Sequence, residues 1–512
     1  MSGPLTRSVV RGATWTGIAQ ISSQGFRLIS TIILARLLVP ENFGVVAIAM
    51  IFTSLVSQTV DLGFNQAIVQ RKEVTPSHLS TTFWVSWAIG ISFCVATVAA
   101  SPFIATFFSE DSVGPVLTVL SISFVITPLG SVHGALLRRR LEFFRFSIAE
   151  ISGAVAYLIG AVSLAFAGFG VWSLVFGSLA SDTTYVSVRW VLCRWHPSFT
   201  FSRQSLKELW GFGIKVTGIK LLSFLGARLD YVILGRFLTP AIVGFYNLAS
   251  KVPSYPISGL ELVVMRVAFP AYSSIQDEDE RLRRGYLKSV TFVSLVGLPM
   301  LIGLAIVTPE LVRVFFGQQW IPAIVPMQIL CLSASRKTLS AASSSIFWSK
   351  GRPDIELKLS IIGLIIDIPA LLLGVQFGAT GVALTCLILG FFWFPIQQVI
   401  VNRLLGLSLK NYLSAIRPAV FGTAVMALTV LGFRYGVASF VNMPDVALLA
   451  IFVLLGAAAY FIALKAAKVQ PLDDMTKLAM EMFRSYKSLI MAKMASFRRN
   501  VSPGVGATPE GK

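Results

Sequence analysis

Residues 228–244 read RLDYVILGRFLTPAIVG, and this stretch decides the class of protein. It lies in an apolar segment running from about Gly211 to Leu238, yet it holds Arg228, Asp230 and Arg236. On a helix the neighbours of Arg228 at three and four residues are Phe224, Leu225, Tyr231 and Val232. Those of Asp230 are Gly226, Ala227, Ile233 and Leu234, so neither charge is met on its own helix. A segment this long and apolar is expected to cross a membrane. An ionised group at bilayer depth costs about 2.5–3.5 kcal/mol or more, so it faces protein or water rather than lipid. The stretch also occurs twice. Residues 32–44 read IILARLLVPENFG and residues 232–244 read VILGRFLTPAIVG. Arg36, Pro40 and Gly44 thus recur without a gap, 200 positions later, as Arg236, Pro240 and Gly244.

The whole composition agrees. Of 512 residues, 55% are hydrophobic and 13% charged, against about 25% charged in a soluble protein. Mean hydropathy is +0.76. The net charge is +19, which has two meanings: nucleic-acid binding, or cytoplasmic loops rich in Lys and Arg. Cys94, Cys193, Cys331 and Cys386 form no CxxC and no Cys/His ligand spacing, and they read as small core residues without disulfides. His78, His133 and His196 stand singly near expected helix ends, without a metal-ligand pattern. There is no GxxxxGK[ST], no HExxH and no Asp-rich metal motif, so the expectation is a chain that is not an enzyme and needs no cofactor.

Apolar segments near 14–38, 43–65, 83–105, 114–137, 147–168 and 171–189 precede a basic stretch. Others follow near 211–238, 242–268, 289–309, 322–348, 358–376, 380–402, 413–434 and 445–465. The fold class expected is an all-α polytopic membrane protein of about 14 transmembrane helices. Its parts are a cytoplasmic lead, 1–13; a first bundle, 14–189; a basic cytoplasmic linker, 190–210; a second bundle, 211–402; a final pair, 403–466; and a basic tail, 467–512. The first apolar segment is too long for a signal-peptide core and is expected to be retained. With the N-terminus in the cytoplasm, 31 of the 43 Lys and Arg residues fall in cytoplasmic segments, 10 within spans and only Arg313 and Arg434 in outer loops. That asymmetry sets the orientation, with both termini cytoplasmic, and it accounts for the net charge without nucleic acid. In the tail, Met475, Ala479, Met482, Tyr486, Leu489 and Ile490 recur at helical spacing among basic residues. Such a helix is suited to an anionic membrane surface, and equally to solvent or a protein partner.

The repeat extends past the Pro–Gly signature. Ser54, Gln58 and Asp61 correspond to Ser254, Ser258 and Glu261, each set at i, i+4, i+7 and so on one helical face. Asn247, Ser250, Lys251, Ser254, Ser258 and Glu261 make a continuous polar stripe. Thr16, Gln20, Ser23, Arg27 and Ser30 make another, and Arg27 in QGFRL resembles Arg228 in LGARL. Ser and Thr in such stripes serve to bind helices together. Charges near mid-span are too costly for that role. Arg36 and Arg236, at helix ends, read instead as fixing the turn before Pro and Gly. The spans hold ten cations against six acids: Asp61, Glu150, Asp182, Asp230, Glu261 and Asp367. Duplicated halves around a central cationic cavity fit an alternating-access carrier of an anion.

RGATW (11–15), ILARLLVPENFG (33–44) and DLGFNQAIVQR (61–71) resemble the bacterial polysaccharide exporters. These are the lipid-linked oligosaccharide flippases of the multidrug/oligosaccharidyl-lipid/polysaccharide superfamily, and within them the likeness is to the colanic acid exporter group. It covers about residues 5–465. The resemblance implies two pseudo-symmetric bundles around a central cavity. It implies an undecaprenyl-diphosphate-linked oligosaccharide repeat unit moved across the bacterial inner membrane for exopolysaccharide, O-antigen or capsule synthesis. It further implies membrane lipids, a polysaccharide polymerase and chain-length proteins as partners, and a proton or sodium as coupling ion. Arg27, Lys220, Arg228, Lys251 and Arg336 are the candidates for binding the diphosphate or sugar acids. Asp61, Asp230 and Glu261 are candidates for ion coupling or for gating salt bridges. Two rival functions remain. An ion-coupled multidrug or cation antiporter of the same fold requires an acidic cavity. A membrane glycosyltransferase or polysaccharide polymerase requires a metal motif or a sizeable outer loop.

Overall fold

The computed structural model describes residues 4–467 apart from 72, 264–267, 341, 439–440 and 442. Side chains at 4–14, 18, 212–216, 219–220, 222–223, 261–263, 269–271 and 353 are also not described. The amphipathic tail expected from sequence lies outside the described residues. Among those residues the chain is helical, without strands. The first half holds α1 (Pro4–Leu37), α2 (Pro40–Val60), α3 (Pro76–Phe108), the interrupted rod α4 (Val113–Arg139), α5 (Phe143–Phe166) and α6 (Val171–Cys193). The second half holds α7 (Arg203–Phe237), α8 (Pro240–Val263), α9 (Asp279–Leu311), α10 (Ile324–Ser340), α11 (Pro353–Gly374), α12 (Gly378–Leu405), α13 (Leu409–Phe433) and α14 (Asp445–Ala466).

The helix ends follow local chemistry. Pro40 and Pro76 occupy the first helical turn, where no amide hydrogen is needed. Thr75 and His78 form a reciprocal cap on α3, and the Ser202 and Ser408 hydroxyls accept from backbone amides at the starts of α7 and α13. Eight stretches among the described residues are long and apolar enough to cross a membrane, which makes this a multi-pass membrane protein. Five helices, α1, α6, α7, α8 and α10, are not among the eight, α10 being only 17 residues long. All five carry polar stripes or in-span charges, which are costly against lipid.

The largest apolar core joins the two halves. It gathers Leu34, Phe43, Ile48, Phe108 and Leu117 from the first half with Leu234, Val243, Tyr246 and Trp320 from the second. It sits at the end of the molecule that carries Pro40 and Pro240, called here the Pro–Gly end; the basic loops mark the other. A Cβ on Gly44 would lie 1.7 Å from the Pro240 carbonyl oxygen, and one on Gly244 would lie 2.0 Å from that of Pro40. The two copies of the repeated motif therefore cross each other, and only glycine permits backbones so close. Arg36 and Arg236 do not fix their own turns. Arg36 Nε donates to the Phe315 carbonyl oxygen at 2.9 Å and its guanidinium also bonds Val314, at the end of α9. The Arg236 guanidinium lies 5.5 Å from the centre of the Phe107 ring, at the end of α3. Each arginine thus reaches the opposite half. The fully buried Trp320 completes the closure: its indole N–H donates to Ala35 O at 2.7 Å, and its ring meets those of Phe43 and Phe245 edge-on.

Candidate functional site

One turn below that closure lies a cavity of about 580 Å³. Its walls have helical periodicity throughout. α2 supplies Ala47, Met50, Ile51 and Ser54; α8 supplies Asn247, Ser250, Lys251 and Ser254; α12 supplies Cys386, Leu389, Gly390 and Trp393. Each set follows i, i+3, i+4, i+7, one face of one helix. α7 adds the run from Gly226 to Tyr231, α10 adds Ser333, Arg336 and Lys337, and α11 adds Asp367 and Leu371. The cavity was expected centrally between two equal bundles. Its walls instead come almost entirely from the second half, and α2 is the contribution of the first.

Among the described residues, the four lining cations are Arg228, Lys251, Arg336 and Lys337, and the two lining acids are Asp230 and Asp367. Four less two leaves a formal charge of +2. Both acids are already engaged. The Tyr246 hydroxyl donates to Asp230 Oδ2 at 2.7 Å and the Tyr231 amide to Oδ1 at 2.9 Å. The Trp393 indole N–H donates to Asp367 Oδ1 at 3.1 Å. The cations are less committed. Arg228 has no ion pair among the described residues; its guanidinium lies 5.4 Å from the centre of the Tyr231 ring. Arg336 crosses Gly390, where a Cβ would sit 3.0 Å from Nε, and this buried Nε has no hydrogen-bond partner. A low-dielectric pocket strengthens the pull of such groups on an anion.

Three of the five expected binding residues, Arg228, Lys251 and Arg336, therefore share one space. Arg27 is not on its wall; it is exposed on α1. The side chains of Lys220 and Glu261 lie outside the described residues. Asp230 lines the cavity. Asp61 does not: its Oδ1 accepts from the Asn65 amide at 3.3 Å at the turn after α2. An aspartate placed there closes a local turn, a common use of its short side chain. Asp182, a conceivable partner for Arg228, accepts from Ser123 Oγ at 2.6 Å inside the first half. Lys337 counted among the in-span cations but not among the binding candidates, and Trp393 was not singled out from sequence. Lys337 lies at i+4 from Ser333 and Trp393 at i+7 from Cys386, so their helical faces carried the signal.

Comparison with known proteins agrees with this architecture. A family profile described as "Polysaccharide biosynthesis protein" matches residues 33–325. The lipopolysaccharide biosynthesis protein WzxC of Escherichia coli is 29% identical over 418 residues, covering 80% of this chain and 84% of its own. The teichuronic acid biosynthesis protein TuaB of Bacillus subtilis is 28% identical over 469 residues, covering 90% and 96%. Among solved structures, the lipid II flippase MurJ in an inward closed conformation superposes with a TM-score of 0.74. It is 14% identical and covers 89% of this chain and 99% of its own, a likeness of fold. Since the profile spans more than half of the sequence, this chain belongs to the polysaccharide biosynthesis protein family.

Proposed function

We propose that the chain is a flippase that carries a lipid-linked oligosaccharide across the bacterial inner membrane, for export of a surface polysaccharide. The observation that carries this reading is the cavity: four cations, two acids already hydrogen-bonded, and closure at the Pro–Gly end. A diphosphate is the anionic part of such a substrate. Paired N–H donors from Arg228 and Arg336 match its oxygens, and Lys251 and Lys337 add point charge. A cation antiporter would need free acids in this space, and the two present are engaged. The conformation supports alternating access with the Pro–Gly end outermost. Fourteen crossings, with both termini and the 190–210 linker in the cytoplasm, complete the proposal. Asp230 with Tyr246 is then a candidate for ion coupling or gating, a proton or sodium being the ion.

The test is transport at matched protein levels. Arg228→Ala and Arg336→Ala should each abolish polymer export by a deletion strain while wild type restores it. Normal export by both variants would remove the cavity from the substrate path. Orientation is checked separately. Cysteine placed at Asn42 should react with an impermeant thiol reagent in intact cells, and cysteine placed at Ser202 should be protected. The reverse pattern would invert every helix.

A further inference from the structure

A second space, about 360 Å³, runs off the cavity between α7, α11 and α12. The two share Gly226, Asp367 and Trp393, so they adjoin. The groove exists because α11 and α12 are pinched at one end only. Near the Pro–Gly end a Cβ on Gly374 would lie 2.2 Å from Thr385 Oγ1, and one on Gly381 would lie 2.2 Å from Gly374 O. Eleven residues earlier the helices have parted. A Cβ on Gly363 would meet nothing nearer than Asp367 Oδ2, at 3.9 Å.

The groove has a chemistry of its own. On α11 its wall is formed by Glu356, Leu359, Ser360, Gly363, Leu364 and Asp367, a single helical face. Ile361, Ile362 and Ile365 on other faces of the same helix are exposed and apolar, suited to lipid. Each acid in the groove is held by an indole. Trp393 N–H donates to Asp367 Oδ1 at 3.1 Å, and Trp348 N–H donates to Glu356 Oε2 at 2.7 Å. Asp367 Oδ2 has no hydrogen-bond partner among the described residues. Glu356 and Asp367 are eleven residues apart, about 16 Å along the helix. Gln397 adds an amide, and no Lys or Arg lines the groove among the described residues.

We propose that this groove is the saccharide subsite, taking the sugars while the cavity cations hold the diphosphate. This rests on the flippase reading above and extends it. Among the described residues the Lys and Arg side chains line the cavity alone, with Asp230 and Asp367 beside them, while the groove has acids and no cation, so a diphosphate is favoured in the first. Sugar hydroxyls donate to carboxylates and to amide oxygens. The C–H face of a pyranose packs on an indole, whose large apolar face keeps a polar edge. Glu356 and Ser360 are already hydrogen-bonded, Glu356 also accepting from Ser344 Oγ at 3.1 Å, but a lipid chain would leave the Gln397 amide and Asp367 Oδ2 without a partner. The space is also needed, since about 300–1,000 Å³ is what an ordinary small-molecule pocket provides, and several sugars joined to a diphosphate exceed the cavity alone.

The experiment measures binding to the purified full-length protein in lipid nanodiscs. The two probes are undecaprenyl diphosphate and the lipid-linked oligosaccharide extracted from a source strain lacking the protein. Wild type should prefer the sugar-bearing probe by about tenfold or more, the value of a single well-made hydrogen bond to a charged group. Gln397→Ala and Glu356→Gln, at residues that line the groove and not the cavity, should erase that preference and leave undecaprenyl diphosphate binding unchanged. Arg336→Ala should weaken both probes together. Preference retained in both groove variants overturns the subsite, as does equal binding of the two probes by wild type. Wild type that binds neither probe overturns the flippase reading, and the subsite with it. Should Gln397→Ala or Glu356→Gln also lose undecaprenyl diphosphate, the scaffold is disturbed. Trp348→Phe, which keeps the ring and removes only the donor to Glu356, then decides by the same comparison.

Discussion

The two halves repeat one another in sequence, yet the pair α5–α6 and the corresponding pair α11–α12 are built to opposite ends. In the first half the pair is packed along its length. A Cβ on Gly177 would lie 2.6 Å from Ala161 Cβ, one on Gly153 3.3 Å from Ser181 O, and one on Gly160 3.5 Å from Ala180 Cβ. Most polar groups there are used internally, although the buried Arg189 Nε, like that of Arg336, has no hydrogen-bond partner. Arg189 is buried; it donates to Gly130 O at 3.3 Å, bonds the Tyr185 hydroxyl and lies 3.7 Å from the centre of the Tyr185 ring. In the second half the pair splays, and its arginine neighbours face space. A duplicated architecture thus keeps one copy as scaffold and opens the other as a site. Closure of the backbone ladder inside each helix leaves side chains free to diverge without changing the fold.

The sharpest way to break this comparison is to remove an arginine from each half. Arg189→Ala strands the Gly130 carbonyl and leaves a void against Gly134, where the guanidinium now packs. The expected cost is about 3 kcal/mol or more, read as loss of monodisperse protein by fluorescence-detected size exclusion. Arg228→Ala strands nothing, because it forgoes only the contact with the Tyr231 ring, about 0.5–1 kcal/mol. Protein abundance should be normal and export abolished, with Arg228→Lys recovering part of it because a point charge cannot reproduce paired hydrogen bonds. Normal abundance for Arg189→Ala would show the first half to be less of a scaffold than its packing implies.

Glycines sharpen the same contrast with a smaller effect. Gly177→Leu forces a side chain into the Ala161 backbone, and overpacking of this kind costs about 1–3 kcal/mol. At Gly363 a Cβ would make only ordinary contacts, 3.9 Å from Asp367 Oδ2 and 4.0 Å from the Trp393 ring, so Gly363→Leu should melt within a few degrees of wild type. Its side chain would enter the groove, and export should fall while undecaprenyl diphosphate binding persists. Equal losses of thermal stability in the two variants would erase the distinction between the pairs.

Much of this was legible in the residues, and the limits have a physical pattern. Helical segments, their Pro starts and the gapless recurrence of Arg, Pro and Gly were all visible, because each is local or periodic. So was the grouping of Asn247, Ser250, Lys251 and Ser254, since a face is a property of one helix. Which face meets which is not. Arg27 and Arg228 occupy similar places in their stripes, but only Arg228 lines the cavity. Arg36 and Arg236 looked like turn residues, whereas they reach across to the ends of α9 and α3. Asp61 matched Glu261 in register and yet closes a turn. The divergence of α11 from α12 depends on close contacts at Gly374 and Gly381, and nothing in their spacing distinguishes them from the glycines of a uniformly packed pair.

The smallest expected effect concerns how each half is tied at the basic end. In the second half Lys350 Nζ lies 2.8 Å from Asp279 and 2.7 Å from Gln276 O. In the first, the chain entering α7 is strapped to α3. Ser198 and Ser80 share a hydrogen bond at 2.8 Å, Phe199 stacks on Trp84, and Glu208 meets Arg71 and His78. The His78 ring, then the Arg71 guanidinium, hold the Glu208 carboxyl below its ordinary range. A carboxyl lowered on folding adds stability above its unfolded value, about 4.3 for glutamate. That contribution is lost as pH falls through the still lower folded value. Glu208→Gln should therefore lower the melting temperature slightly at neutral pH. The difference from wild type should shrink only below about pH 4. Because the pair is exposed, added salt should shrink the difference too. A difference that stayed undiminished well below about pH 4 would mean that the carboxylate charge is not what the folded strap uses, and the ion pair would not be what ties α7 to the first half.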